Sequence, residues 1–117
     1  MKVIDSSALI DALTHEERGP RLRAALDDDL FAPDLLISEV LGFVRRQQFR
    51  ERLTSAQAAE LVGNFFDVPI EYLHVWPYGT RMWEWRGNLT PYDAAYVPMA
   101  AGLGATLVTT APRLARA

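Results

Sequence analysis

Short apolar runs alternate with longer segments of helical periodicity along the whole chain. Apolar and β-branched runs predict strands at residues 2–5, 30–32, 70–75 and 105–109. Apolar positions spaced three and four apart predict helices, listed here by number: 5–13, 20–26, 35–49, 55–66, 78–85, 90–103 and a last turn at 112–117. Strands that alternate with helices are typical of an α/β fold with a parallel sheet.

Residues typical of helix ends support these boundaries. Asp5 and the two serines after it favour a helix start, and Asp34 is placed to cap the helix at 35–49. Thr90, Pro91 and Asp93 combine a cap, a first-position proline and an acid three residues after the cap. These signals place each predicted helix directly after a strand or a short turn.

Composition narrows the functional classes. The 117 residues suit a single domain spanning 1–117, and the absence of cysteine excludes disulfides, thiolate metal sites and cysteine nucleophiles. A formal net charge of −3 argues against a protein that simply coats nucleic acid, but not against an enzyme that reaches it through metal ions. The N-terminus has no signal-peptide pattern and the apolar runs are too short to span a membrane, so we expect a cytoplasmic protein.

Three acids occupy positions that solubility does not explain. Asp5 ends the first strand, where open α/β sheets place their chemistry, although a helix cap is the alternative. Glu39 falls on an apolar helix stripe with Val40 and Phe43, which is costly without a compensating cation or hydrogen bonds. Asp93 suits a capping box taken singly, yet it also points toward the same sheet edge. Three convergent carboxylates would suit Mg²⁺ or Mn²⁺, not zinc.

Other candidate chemistries are weaker. His15 and His74 lack the context of a catalytic triad, and Lys2 is the only lysine, which excludes a phosphate-binding P-loop. A phosphohydrolase with Asp5 as nucleophile would want a second acid where Ser7 stands.

Clustered arginines and aromatic residues have ordinary interpretations. Arginines 45, 46, 50 and 52 lie in and just beyond a helix C-terminus, where cations offset the helix dipole; a nucleic-acid groove is the alternative. The tryptophans at 76, 83 and 85 and the phenylalanines at 65 and 66 are more typical of core or interface anchors than of base-stacking surfaces.

Four ordered motifs resemble the PIN-domain ribonucleases, and most closely the VapC toxins of bacterial type II toxin–antitoxin pairs. The motifs are distributed along nearly the whole chain: Val3-Ile4-Asp5-Ser6-Ser7-Ala8-Leu9, Ser38-Glu39-Val40, Leu89-Thr90-Pro91-Tyr92-Asp93-Ala94-Ala95-Tyr96 and Leu107-Val108-Thr109-Thr110. Each motif is weak alone, but the ordered set is fairly specific.

The resemblance implies a three-layer α/β/α sandwich around a short parallel sheet and an acidic pocket for Mg²⁺ or Mn²⁺. It implies RNA cleavage by metal-activated water, with Asp5, Glu39 and Asp93 as the first three family acids. Thr109 matches a hydroxyl residue that supports the fourth acid, and Ser7 is a second supporting hydroxyl. A cognate antitoxin and a homodimer are implied as partners, alongside the RNA substrate.

One position departs from the family pattern. Ala111 stands where the family usually carries the fourth acid, and alanine cannot bind a metal ion. The intact flanking residues favour an inactivating substitution over a naturally weakened member. The family also usually adds a final strand near Ala117, which leaves room for a missing C-terminal segment. The alternative function is a PIN-like module that binds RNA or a protein without cleavage.

Overall fold

Four short parallel strands form the centre of the molecule. The computed structural model describes residues 1–115 and orders the strands β3-β2-β1-β4. They are β1 (Lys2–Ile4), β2 (Leu30–Pro33), β3 (Ile70–Leu73) and β4 (Thr106–Val108). In register, Lys2 lies opposite Leu30 on one side and Thr106 on the other. The chain therefore builds outward from β1 in one direction and returns to the opposite side of β1 with β4.

Helices connect the strands and complete the layers on the two faces of the sheet. Their bounds are α1 (Ser6–Thr14), α2 (Gly19–Ala25), α3 (Leu35–Phe49), α4 (Ser55–Phe66), α5 (Gly79–Glu84), α6 (Pro91–Ala94), α7 (Tyr96–Leu103) and α8 (Pro112–Ala115). Helix α7 packs on β1, β2 and β4, whereas α1 packs with α2, α3 and α4. The predicted three-layer α/β/α arrangement is confirmed.

The core forms where the inner faces of these layers meet. Val3 and Ile4 of β1 are fully buried, as are Leu9 of α1, Phe65 of α4 and Met99 of α7. Burying each such side chain contributes roughly 1.5–3 kcal/mol relative to exposure. The core thus holds the first strand, and with it the residue that follows the strand, in a fixed position.

Two predicted helix features are corrected by the structure. The helix expected over 90–103 is two helices, α6 and α7, which meet at Ala95. Pro98 accounts for this break, because its ring clashes with the carbonyl of Ala94 four residues earlier and it has no N–H to donate there. Asp34 precedes α3 without any side-chain capping hydrogen bond, and its carboxylate instead lies 3.2 Å from His74 Nδ1.

The aromatic segment also departs from expectation. The strand predicted over 70–75 ends at Leu73, and a 3₁₀ turn (Trp76–Tyr78) precedes α5. Trp76, Trp83 and Phe66 are exposed, at 89%, 67% and 59%, so the core interpretation is wrong for them, whereas Phe65 is buried. The last predicted turn begins as α8, and residues 116–117 of that prediction lie outside the described part of the chain.

Candidate active site

The candidate site lies where β1 and β4 end side by side. Asp5 follows β1, and its backbone N–H donates to the carbonyl of Val108 at 3.1 Å. Thr109 follows β4. The strand that follows β1 in the chain, β2, pairs on one side of β1, and β4 pairs on the other side. Open α/β sheets bind their ligands at such a switch in strand order.

The Asp5 carboxylate is buried and accepts three hydrogen bonds. Its Oδ1 accepts from the Ser7 hydroxyl at 2.8 Å and from the Ala8 N–H at 2.9 Å, and Oδ2 accepts from the Thr109 hydroxyl. The Ala8 contact makes Asp5 the N-cap of α1, so the capping interpretation holds together with a position at the strand end.

The protonation of Asp5 reflects opposing effects. Burial raises the pKa of Asp5 above its ordinary value, and the neighbouring carboxylate of Asp93 adds to that increase. The hydrogen bonds from Thr109, Ala8 and Ser7 lower it and so favour the ionised form. Thr109 and Ser7 therefore support the first acid of the site directly.

Glu39 lies half-buried in the middle of α3 and contacts Tyr96 at the start of α7. The Tyr96 hydroxyl donates to Glu39 Oε1 at 2.5 Å, and Tyr96 is itself buried. Burial raises the pKa of Glu39, the Tyr96 bond lowers it, and the charges of Asp93 and Asp5 raise it further. Burial and the Glu39 charge also raise the pKa of Tyr96, which keeps the phenol a donor.

The backbone and the carboxylate of Asp93 have different roles. Its N–H donates to the Thr90 hydroxyl at 3.3 Å, which caps α6. Its carboxylate does not complete a capping box but accepts from Arg113 Nε at 2.5 Å. Arg113 reaches in from α8 with a side chain that is 62% exposed. The capping interpretation of Asp93 therefore applies to its backbone, while the carboxylate faces the site.

Glu39 and Asp93 line one pocket of 380 Å³, which we call the acidic pocket. Its walls are Ser6, Ile10, Ser38, Glu39, Phe43, Arg46, Thr90, Tyr92, Asp93 and Arg113. Asp5 is not a wall residue, but the pKa shifts of Asp5 and Glu39 record its interaction with the other acids. The three predicted acids thus share one end of the sheet, with Asp5 beneath the pocket surface.

The donor set suits a hard divalent cation, although the side chains are not gathered around one point. Carboxylate and hydroxyl oxygens are the ligands that Mg²⁺ and Mn²⁺ prefer, and a cation would relieve the repulsion among these acids. Within residues 1–115, no three His, Asp or Glu side chains are close enough together to hold an ion. Arg113 supplies the positive charge beside Asp93 in this conformation.

Ala111 lies at the border of this site, in a small apolar cluster with Leu89, Ala94 and Leu114. Its N–H donates to the Thr109 hydroxyl at 3.0 Å, which ties the segment after β4 to the Asp5 hydrogen-bond network. A larger side chain at position 111 would therefore extend from a point beside Thr109 and α6.

Sequence reasoning missed two residues that contact the acids. Tyr96 could have been found as a tyrosine in an otherwise apolar helix three residues after Asp93, because a buried hydroxyl needs a partner. Arg113 carries no local signal, since its contact with Asp93 spans separate segments. His15 instead has a local role, with its Nδ1 accepting from the Arg18 N–H at 2.9 Å.

Comparison with protein-family models identifies the family of this fold. A PIN-domain family model matches residues 2–117. The chain belongs to the PIN-domain family. This PIN domain is 35% identical over 114 residues to the VapC ribonuclease Mb0985 of Mycobacterium bovis, covering 97% of this chain and 88% of that protein. It is 30% identical over 117 residues to ribonuclease VapC12 of Mycobacterium tuberculosis, covering 99% and 91%.

Solved structures agree on the architecture. The PIN domain superposes on Mycobacterium tuberculosis VapC20, a sarcin-ricin loop cleaving toxin, with a TM-score of 0.75 at 14% identity, covering 99% of this chain and 94% of that one. It superposes on PAE2754 from Pyrobaculum aerophilum with a TM-score of 0.71 at 25% identity, covering 97% and 81%. The fold of the family is therefore shared.

A search of the helices within residues 1–115 finds none long and apolar enough to cross a membrane.

Proposed function

We propose that this PIN domain is a metal-dependent endoribonuclease toxin of a toxin–antitoxin pair, weakened here by Ala111. The observation that carries the proposal is the joint position of Asp5, Glu39 and Asp93 at the carboxyl edge of the sheet. The similarity to named VapC ribonucleases over nearly the full chain supports it.

The residues at this edge have separable roles in the proposed reaction. Asp5, Glu39 and Asp93 would hold Mg²⁺ or Mn²⁺, which supplies a water of lowered pKa and offsets charge developing at the phosphorus. The hydrogen bonds from Ser7 and Thr109 oppose the rise in the pKa of the buried Asp5 and so favour its ionised form, and the bond from Tyr96 does the same for Glu39. The protein's part is to place the oxygen ligands together and to favour their charged form through these hydrogen bonds.

Ala111 removes one carboxylate from the proposed ligand set. Because Arg113 already neutralises part of the charge of Asp93, the three remaining acids attract a cation less strongly. We therefore expect the chain with Ala111 to bind metal weakly and to cleave RNA slowly.

Restoring the acid tests the proposal. The chain, its Ala111→Asp variant and the Ala111→Asp/Glu39→Gln double variant are incubated with a pool of structured RNA, with Mn²⁺ or with EDTA. We expect Ala111→Asp to cleave RNA with Mn²⁺ but not with EDTA. The double variant should not cleave RNA, because Glu39→Gln removes the charge while keeping the side-chain shape. Circular dichroism checks folding, because position 111 lies in an apolar cluster. A folded Ala111→Asp protein that cleaves no RNA with Mn²⁺ or Mg²⁺ would contradict the proposal.

The proposed partners have their own tests. By family resemblance we infer a cognate antitoxin that covers the acidic pocket and a homodimer of the PIN domain. Light scattering measures the oligomeric state of the purified chain. A small neighbouring reading frame whose product co-purifies with the chain supports the toxin assignment.

A non-cleaving binding module is the second candidate. Ala111 favours it, as does the exposure of Trp76 and Trp83, because such rings suit a partner surface. An Ala111→Asp protein that binds Mn²⁺ but only binds RNA, without cutting it, would favour this module.

A further inference from the structure

The C-terminal end of α3 concentrates positive charge in a chain that is negative as a whole. Four of the twelve Lys and Arg residues lie at positions 45, 46, 50 and 52, where Glu51 is the one acid between positions 45 and 52. All four arginines are exposed. Within residues 1–115 none of them forms a salt bridge, in contrast to Arg18 and Arg113.

The helix dipole does not account for this much charge. The C-terminus of a helix is equivalent to about half a negative charge, which one nearby cation already offsets. Arg46 lies in the last turn and Arg50 is the C-cap residue, so either one meets that need. The remaining arginines leave a surplus of positive charge on this surface.

An exposed aromatic ring lies among these arginines. Phe49 is 67% exposed, and the guanidinium carbon of Arg45 lies 4.4 Å from its ring centroid. Arginine stacked on an exposed ring is a combination that proteins use to receive unpaired bases, since every base offers a flat face. The ring therefore adds base-binding chemistry to the charge.

Arg46 and Arg50 connect this surface to the acidic pocket, whereas Arg45 and Phe49 lie about 100° further around α3, where Arg45 lines a groove against α4. Helical spacing aligns Glu39, Phe43, Arg46 and Arg50 in one stripe along α3, and the first three of them line the pocket. Gly42 makes room for Arg46, because a Cβ at position 42 would lie only 3.3 Å from Arg46 Nη1. The arginine side chain thus lies back along the helix toward the pocket.

We infer that Arg45, Arg46, Phe49 and Arg50, which we call the basic ridge, bind single-stranded RNA beside the acidic pocket. The arginines contact successive phosphates, and one unstacked base lies on Phe49. This inference rests on the proposed ribonuclease function and assigns it a substrate-binding surface. An acidic protein segment would satisfy the arginines equally, but it has no flat bases to stack on the ring.

Salt-dependent RNA binding tests the basic ridge. The full chain is titrated into a fluorescent mixed-sequence oligoribonucleotide in EDTA at several salt concentrations, and the fluorescence anisotropy is measured. The oligoribonucleotide has about 12 nucleotides, enough to span one typical site. Removing two phosphate contacts with Arg45→Gln/Arg50→Gln should reduce the slope of log K against log salt by about 1.4. Phe49→Leu should weaken binding about 5-fold or more without changing the slope.

Matched controls come from other exposed surfaces. Arg21→Gln removes an exposed arginine from α2, and Phe66→Leu alters an exposed ring on α4. Both should leave affinity and slope unchanged. The inference is overturned if the parent chain binds no RNA, if the ridge variants behave as the controls do, or if a poly-glutamate peptide competes as well as RNA.

The failure of this inference is distinguishable from that of the proposed function. If Ala111→Asp cleaves RNA but the ridge variants bind RNA as tightly as the parent chain does, only the inference about the basic ridge is overturned. If the ridge variants bind RNA more weakly but Ala111→Asp does not cleave RNA, the basic ridge is supported and the proposed ribonuclease function is contradicted.

Discussion

The Thr109 hydroxyl offers a direct measure of how much a hydrogen bond favours the ionised form of the buried Asp5. Thr109→Val keeps the side-chain shape but removes the hydrogen bond to Asp5 Oδ2 and the acceptor for the Ala111 N–H. A hydrogen bond to a charged group contributes roughly 1.5–3 kcal/mol, so we expect the free energy of unfolding to fall by about 2 kcal/mol at neutral pH. For 117 residues the unfolding entropy is about 0.25 kcal/mol/K, which makes this a fall of about 8 °C in Tm.

The pH dependence identifies the partner of the lost bond. Burial holds the pKa of Asp5 above its ordinary value, and the Thr109 bond opposes that shift, so Thr109→Val raises the pKa further. Because the bond favours the ionised form, the stability difference between parent and variant is full above both folded-state pKa values. It shrinks as the pH falls through them and the carboxyl protonates. The share that comes from the Ala111 N–H does not change with pH.

Urea unfolding at steps from about pH 8 to about pH 4 measures this difference, since ΔG falls linearly with urea. Thr110→Val is the matched control, because Thr110 contacts Ser7 through its backbone N–H, which the substitution keeps. A difference that stays constant over the whole pH range would refute the reasoning, as would an equal loss in Thr110→Val.

Three further predictions concern contacts around the acidic pocket. Tyr96→Phe should lower the free energy of unfolding by about 2 kcal/mol at neutral pH by removing the donor to Glu39, and a double-mutant cycle with Glu39→Gln in urea should give a non-zero coupling energy. Arg113→Gln should cost no more than about 1 kcal/mol, because the arginine is mostly exposed, and should tighten Mn²⁺ binding in calorimetry by freeing Asp93; weaker binding would contradict this. Gly42→Ala should raise the free energy of unfolding by about 0.5–1 kcal/mol, since the one close neighbour of the new Cβ is the movable end of an arginine; a lower Tm would contradict this.

Local sequence signals predicted most of the helices and strands. The α3 bounds agree with the prediction because Leu36, Val40 and Val44 recur at helical spacing and are all buried on one face. The capping signal at Thr90 also agrees, since its hydroxyl accepts the expected backbone N–H from Asp93. The break at Ala95 was missed because the apolar pattern continues through Pro98, although proline chemistry alone would have predicted it.

The candidate site was predicted in part, and its contacts were not. Asp5, Glu39 and Asp93 stood out because acids at a strand end or on an apolar helix face need a partner. Which partners they have depends on distant segments: Tyr96 for Glu39, and Arg113 for Asp93.

The sequence by itself determined the α/β order of elements, the helix caps and the three acids, because each follows from short-range periodicity and the chemistry of single residues. Tertiary structure decided that Asp5 lies buried beneath the pocket while Glu39 and Asp93 line it, and that Arg113 supplies the charge beside Asp93. It also decided that Trp76 and Trp83 face solvent rather than the core. The physical reason is that burial and pairing across dozens of residues are set by how the helices pack on the sheet, which no local pattern encodes.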